Sequence, residues 1–433
     1  GMTHALTLLK EMKDLGIKPN TITYSAAISA CEKAGGIDGM TYALTLLKEM
    51  KDLGIKPNTI TYNATISACE KAGGIPGAKN ALALLKEMKD LGITPNTITY
   101  NAAISACEKA GGIPGAKNAL TLLKEMKDLR ITPNTITYSA AISACGKAGG
   151  IDGMTHALTL LQEMKDLGIT PNTITYSAAI SACEKAGGID GMTLALTLLQ
   201  EMKDLGITPN TITYSAAISA CEKAGGIDGM TNALTLLKEI KDSGITPDTI
   251  TYSAAISACE KAGGIDGMTH ALTLLQEMKD SGIKPNTITY SSAISACEKA
   301  GGNNSMRHAL TLLKEIKDSG ITPDTITYSA AISACEKAGG IDGMTHALTL
   351  LNEMKDSGIK PDTITYNAAI SACEKAGGNN SMRHALTLLN EMKDLGMLNN
   401  ELGQTTKLNL HENAFYSKQI CAELLEKDPS KKT

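Results

Sequence analysis

Two polar positions carry the variation in a chain that otherwise copies itself. The stretch "NTITYSAAISACEKAGG" at residues 20–36 returns as "NTITYNATISACEKAGG" at 58–74 and as "DTITYSAAISACEKAGG" at 248–264. The residue after the Tyr is Ser or Asn, and the residue that opens the stretch is Asn or Asp. Ser offers one short hydroxyl, Asn both donates and accepts, and ionised Asp only accepts. Such side chains sort hydrogen-bonding partners; they do not make or break bonds. Residues that could do bond chemistry are spaced against it. Ten of the eleven Cys share one repeat position, from Cys31, Cys69 and Cys107 to Cys373. One per repeat forms no internal bridge, and no CxxC or Cys/His spacing suits zinc. They read as small buried hydrophobes of a reduced, intracellular protein. Six of the seven His share a position that also holds Tyr42, Asn80, Asn118, Leu194 and Asn232, which no catalytic base would tolerate. The Glu32-type and Glu49-type carboxylates recur singly, with no partner expected to shift their pKa. The repeated Gly-Gly belongs to neither a GxGxxG nor a GxxxxGK[ST] motif. The expectation is a non-enzyme with no cofactor, no metal and no small-molecule substrate.

The elements that position the polar pairs follow from the period. Tyr stands at 24, 62, 100, 138, 176, 214, 252, 290, 328 and 366, a spacing of 38 throughout. That defines ten units over 21–400. Residues 1–20 align with 39–58, a partial repeat containing the second helix only, which reads as a trimmed repeat or a cap. Its open apolar face is a place for self-association. Residues 401–433 form a C-terminal tail, expected to supply a capping helix.

Within one unit, Asn20 can cap a helix over "TITYSAAISACEKA". Tyr24, Ala27, Ile28 and Cys31 fall at i, i+3, i+4 and i+7, an apolar stripe, and the alanines keep that helix slim. Gly35 and Gly36 end it. A second helix is expected over Ala43–Leu53, burying Leu44, Leu46, Leu47 and Met50, with Lys48, Glu49, Lys51 and Asp52 in solvent. The link between them reads IDGMT, IPGAK or NNSMR and looks like loop drift, with Pro76 and Pro114 suited to a first helical position. Neither helix buries its face alone, so the pairs must stack. The fold expected is all-α, an α-solenoid superhelix of stacked antiparallel helix pairs.

The 433-residue chain has no Trp, one Phe, and a net charge of −4 with acids and bases interleaved. That argues against a generic polyanion binder. No apolar run approaches ~18 residues, so no membrane span is expected. In the tail, Leu408-Asn409-Leu410-His411 resembles the LDLHG opening of Smr-type nuclease domains. Asn replaces Asp, Glu replaces Gly, and too little chain follows for such a domain. The competing reading is a helix over Ala414–Glu426 that covers the last repeat.

The unit "TITYSAAISACEKAGG…ALTLLKEMKDLGIKPN" resembles the pentatricopeptide repeat, VTYNxLIxxxxKxG…AxxLxxxMxxxGIxPD, over about nine-tenths of the chain. Its period of 38 exceeds the family's usual 35, and the surplus falls between the two conserved halves. A tetratricopeptide array would carry a Trp signature that is absent. The resemblance implies single-stranded RNA as partner, one base per repeat. It assigns base reading to the residue after Tyr and the last residue of the same unit. In order these pairs are Ser25/Asn58, Asn63/Asn96, Asn101/Asn134, Ser139/Asn172, Ser177/Asn210, Ser215/Asp248, Ser253/Asn286, Ser291/Asp324, Ser329/Asp362 and Asn367/Asn400. Chemistry agrees with that assignment. Asp suits the donating edge of G or U, and Asn suits the accepting edge of A or C. Short Ser leaves room for a purine, and longer Asn reaches a pyrimidine. The implied ligand is 5′-ACCAAGAGGC-3′, with U tolerated at the second, third and last positions. Each pair is expected to face a shared groove.

By the same resemblance Ile22, Ile60, Ile98, Ile136, Ile174, Ile212, Ile250, Ile288, Ile326 and Ile364 stack between bases, the alternative being core packing. Lys33, Lys71, Lys109, Lys147, Lys185, Lys223, Lys261, Lys299, Lys337 and Lys375 meet phosphates, the alternative being solvated helix ends. Two other functions fit the sequence: a protein- or peptide-binding solenoid, and a bare scaffold, natural or engineered, in which Asn and Asp are interchangeable caps.

Overall fold

The structure, a computed structural model, describes residues 1–397. Asn400, the Leu408–His411 motif and the expected helix at 414–426 lie outside the described residues. Two compact units divide the chain, Gly1–Pro247 and the part that begins at Asp248.

The first unit holds α1 (Met2–Asp14), α2 (Thr21–Ala34), α3 (Gly36–Asp52), α4 (Thr59–Ala72), α5 (Gly74–Asp90), α6 (Thr97–Ala110) and α7 (Gly112–Asp128). It continues with α8 (Thr135–Ala148), α9 (Gly150–Asp166), α10 (Thr173–Ala186), α11 (Gly188–Asp204), α12 (Thr211–Ala224) and α13 (Gly226–Asp242). The second unit holds α14 (Thr249–Ala262), α15 (Gly264–Asp280), α16 (Thr287–Ala300), α17 (Gly302–Asp318), α18 (Thr325–Ala338), α19 (Gly340–Asp356), α20 (Thr363–Ala376) and α21 (Gly378–Asp394). The described residues are thus an all-α array of antiparallel helix pairs, stacked within each unit and without strands.

The apolar stripe of the first helix does what its spacing requires. Tyr24, Ala27, Ile28 and Cys31 are all buried. Within each compact unit a first helix packs on the next one, α2 on α4, and a second helix fills the angle between its own first helix and the next, as α3 does between α2 and α4. Burying an Ile or Leu contributes about 1.5–3 kcal/mol. Most of that burial is against a neighbouring repeat, so stability is a property of the stack. The row of cysteines lies inside it. Burial pushes the thiols of Cys69 and Cys221 up to about 12, which keeps them protonated and inert.

Two expectations need correction. The second helix does not begin at Ala43: it runs from Gly36, and the supposed link forms its first two turns. The turn is made by Gly35 and Gly36 alone, both left-handed at φ 70° and 65°, which only Gly adopts without penalty. The link can then be helical because Met40 finds the core and Gly39 packs on the Cys31 carbonyl, where a Cβ would lie only 2.6 Å from the oxygen. Pro76 and Pro114 sit at the third helical position, still inside the turn whose N–H groups lack intrahelical partners.

Nor is the Glu49-type carboxylate solvated and alone. Glu87 accepts from the Tyr62 hydroxyl at 2.5 Å and pairs with Lys51 of the preceding repeat at 2.7 Å. Glu125 does the same with Tyr100 and Lys89. Burial disfavours the charged carboxylate, but the hydrogen bonds from Lys51 and Tyr62, with the lysine's charge, outweigh it and hold Glu87 below the ordinary carboxylate range. Glu49, Glu125, Glu163, Glu201 and Glu239 are lowered in the same way. Burial, reinforced by the carboxylate, pushes the Tyr214 phenol up to about 12.

A depressed folded-state carboxylate contributes stability that is present above the unfolded value, about 4.3 for Glu, and is lost as the pH falls through the folded value. Acidification from pH 6 to pH 3 should therefore lower the urea midpoint of the array, followed by helical circular dichroism. Glu125→Gln should shrink that pH dependence while costing stability at pH 7.

Arg130 is the one non-Gly residue with positive φ among the described residues, at 57°, at the position that Gly92 and Gly168 occupy in adjacent repeats. A side chain there costs about 1–2 kcal/mol. Arg130→Gly should raise the thermal midpoint, with a net gain of about 1 kcal/mol after the entropy of the added Gly.

Candidate nucleic-acid interface

The residue that ends each unit is the N-cap of the next first helix. Asn58 is extended at φ −125°, and its Oδ1 accepts from the Thr61 backbone N–H at 3.0 Å and from the Thr61 hydroxyl at 3.0 Å. The Asn58 N–H donates back to the Thr61 hydroxyl, which closes a capping box. Asp324 makes the same pair of bonds to Thr327 at 2.8 and 2.6 Å.

Asn286 and Asp362 show what else the capping position does. Both residues are exposed, and the Oδ1 of each is committed to the fold. Asn286 Oδ1 accepts from the Thr289 N–H and hydroxyl, each at 2.9 Å. Asp362 Oδ1 accepts from the Thr365 N–H at 2.8 Å and the hydroxyl at 2.7 Å. The physical reason is the helix start, whose N–H groups need acceptors that the chain supplies only at the cap. Because Oδ1 is spent on the helix, the other end of the side chain is the one left to meet a partner. Asn presents Nδ2, a donor, and Asp presents Oδ2, an acceptor. The cap itself fixes which way round the amide lies.

The Thr hydroxyl also reaches the other polar position. Ser25 Oγ lies 2.9 Å from Thr61 Oγ1, and Ser139, Ser177, Ser253, Ser291 and Ser329 meet their threonines at 2.5–2.7 Å. Where the residue is Asn the contact becomes direct. Asn63 Nδ2 donates to Asn96 Oδ1 at 3.2 Å while its Oδ1 accepts from Thr99 at 2.6 Å, and Asn101 and Asn134 repeat this around Thr137. The two variable positions therefore share one hydrogen-bonded cluster at joints in both compact units, Ser139/Asn172, Ser253/Asn286 and Ser329/Asp362 among them. The serines are buried and form its floor, and the capping Asn or Asp is its exposed lip. Ser215 is buried on α12, Asp248 caps α14, and Asn367 is exposed on α20. The bridging Thr was not singled out in the sequence. Its signal was a hydroxyl three residues after each cap.

The isoleucines are not core residues. Ile22, Ile60, Ile98, Ile136, Ile174, Ile212, Ile250, Ile288, Ile326 and Ile364 are each at least 60% exposed. In the first unit a cavity of about 270 Å³ brings the candidate classes together: Ser177, Asn210, Ile174, Ile212, Lys147 and Lys185 all line it. A larger groove of about 800 Å³, lined by Ile113, Leu120, Ile151 and Cys145, holds none of the polar pairs.

The lysines are exposed, Lys33 and Lys261 included, but most are neutralised. Lys71 pairs with Glu32 at 2.7 Å, Lys109 with Glu70 at 2.6 Å, and Lys223 with Glu184 at 2.5 Å, each across one repeat. Lys147–Glu108, Lys299–Glu260, Lys337–Glu298 and Lys375–Glu336 continue the row. The Glu32-type carboxylate, expected to stand singly, is thus the partner of this row. Among the described residues no group of three or more His, Cys, Asp or Glu could hold a metal ion, and no helix is long and apolar enough to cross a membrane.

Helix pairs that cap one another in series, each joint exposing one polar cluster, define a helical-repeat protein. The pentatricopeptide repeat domain matches residues 7–72, 45–110, 83–148, 159–224, 197–262, 235–303, 273–338, 311–379 and 349–397, and a single pentatricopeptide repeat matches 136–169. The chain belongs to the pentatricopeptide repeat family. Comparison with curated proteins finds no match. Among solved structures it is similar to the pentatricopeptide repeat protein PPR10 in complex with an 18-nt psaJ RNA element. There the identity is 22% and the TM-score 0.40, over 91% of this chain and 62% of that one, so the chain spans less than two thirds of that relative. A structure of PPR10 from maize matches at 21% identity and TM-score 0.36, over 98% of this chain and 76% of that one. The repeat domain of Arabidopsis thaliana protein-only RNase P 1, in complex with tRNA, matches at 18% identity and TM-score 0.36, over 48% and 94%.

The cap and the variable cluster are one object, so the cap can be tested by itself. Asn172→Ala should lower stability by about 1 kcal/mol, whereas Asn172→Asp, which keeps the acceptor, should change it by only a few tenths. Urea unfolding at constant pH compares the two.

Proposed function

We propose that the array binds single-stranded RNA, one base per repeat, and acts by occupying its site. The observation that carries this reading is the recurring cluster in which the Ser or Asn after Tyr and the capping Asn or Asp meet around one Thr hydroxyl. A base edge set against that cluster meets both variable side chains at once. The outward end of the cap then decides between bases: Nδ2 of Asn faces an accepting edge, as in A or C, and Oδ2 of Asp a donating edge, as in G or U. The exposed isoleucines supply apolar surface between successive clusters, suited to base faces. Members of the family bind single-stranded RNA in this repeat-by-repeat manner. The ligand that fits is 5′-ACCAAGAGGC-3′, with C or U at the second, third and last positions.

One observation favours a second reading. Asn and Asp both serve as caps here, so their interchange is also what a bare scaffold would show. RNA binding separates the two. At fixed salt, which sets the sequence-independent background, the decamer should bind more tightly than a scrambled decamer of the same composition, and labelled RNA should be recovered uncut. Asp324→Asn should move the preference at the eighth base from G to A by about 1–3 kcal/mol, or roughly fivefold to 150-fold in relative affinity. Equal binding of matched and scrambled RNA would leave the scaffold.

A further inference from the structure

The ion-pair row has a gap. Outside the fourth repeat each first helix carries Glu one residue before its Lys, and Glu32, Glu70, Glu108, Glu184, Glu260, Glu298 and Glu336 meet the Lys of the following repeat. In the fourth repeat the motif reads "ISACGKAGG", and Gly146 stands where Glu is expected. Among the described residues Lys185, on the following first helix, is accordingly left with no ion pair, although Lys147 before it and Lys223 after it both have one. The acids nearby are engaged elsewhere: Glu108 holds Lys147 and accepts from Ser143 at 2.9 Å, and Glu184 holds Lys223. Without a side chain at 146, α8 and α10 approach closely. A Cβ there would lie 3.3 Å from the Ala182 Cβ and 3.4 Å from the Ala178 carbonyl.

The cavity of about 270 Å³ opens at this gap, lined by Gly146 and Lys185 together with the Ser177/Asn210 pair. From this juxtaposition we infer that the Gly146–Lys185 notch is an anion site that takes a backbone phosphate of the RNA beside the fifth base. Among the described residues, the fifth repeat thereby carries an uncompensated lysine within the row, as Lys33 does at its start. This rests on the RNA-binding reading above and adds an inequality to it. A lysine already facing a carboxylate gives a phosphate little net charge, and one facing Gly gives its full charge.

The test is the salt dependence of decamer binding. For single strands, each neutralised phosphate contributes about 0.7 to the slope of log K against log salt. Lys185→Gln, at an exposed position that does not bear on folding, should reduce the slope by about 0.7 and weaken binding severalfold at low salt. Lys223→Gln, which removes a paired lysine, should change the slope by less than half as much. Gly146→Glu rebuilds the row and should reproduce the Lys185→Gln slope with Lys185 still present, its fold checked by thermal melting. If the array binds the decamer but Lys185→Gln and Lys223→Gln shift the slope equally, the notch is refuted and the base-reading proposal stands. If wild-type protein binds no RNA, both fall.

Discussion

Everything in the array depends on one hydroxyl at each joint. Thr61 and its equivalents sit at the third position of a helix that would otherwise begin with unsatisfied N–H groups. The hydroxyl donates to the capping side chain, and in the capping box it receives the cap's backbone N–H. Its remaining contact is to the polar residue of the preceding repeat. The same atom therefore starts a helix, ties consecutive repeats together and gathers the two variable side chains. In most proteins a cap is a local device at the surface. Here it is also the floor of a candidate recognition site, and the variable residues are held by the bonds that hold the fold.

How much of this was legible follows from the range of each interaction. The first helix was readable end to end, because its cap, stripe and terminating glycines all lie within "NTITYSAAISACEKAGG". The variable positions were readable because repeat could be laid on repeat. What escaped spans the joint. Glu87 reads as a solvated residue on a charged face until Lys51, 36 residues earlier, and Tyr62, 25 residues earlier, are brought to it. The Glu32–Lys71 pair spans 39 residues. The two lysine contacts have their partners in different repeats, while the Tyr62–Glu87 bond joins the two helices of one. The caps were legible as caps and as variable residues, but not as both at once: that Asn286 and Asp362 give one oxygen to the helix and keep the other end exposed needed the joint itself. The second helix was misread for another reason. "GIDGMT" looks like a turn because it holds two glycines, but Gly36 makes the turn while Gly39 permits helix packing. One residue type served two physical ends within a single helical turn.

The charge pattern bears on the proposed reading of a near-neutral chain as a selective binder. Sequence-independent affinity for nucleic acid grows with each uncompensated cation. Pairing the exposed lysines with glutamates of the neighbouring repeat suppresses that background, at little gain in stability, since exposed ion pairs contribute about 0–1 kcal/mol. On the proposed reading, discrimination falls to the polar clusters and the exposed isoleucines, where contacts would depend on the shape and edge of a base. What matters for such a binder is the ratio of specific to non-specific affinity, and a small denominator raises it as surely as a large numerator.

The near-identity of the repeats fits the same logic. An array can vary its recognition freely only if the varied residues leave its stability unchanged. Asn and Asp are equivalent as N-caps, and both hold the Thr hydroxyl here. Ser and Asn after the Tyr both reach that hydroxyl as well, one at 2.7 Å and the other at 2.6 Å. Ser with Asn, Ser with Asp and Asn with Asn therefore satisfy the same donors at the helix start. Only the outward-facing atoms differ, Nδ2 against Oδ2 and short against long. Folding is decided by one end of each side chain, so on the proposed reading the other end is free to differ, and the array could change what it reads without changing how it stands.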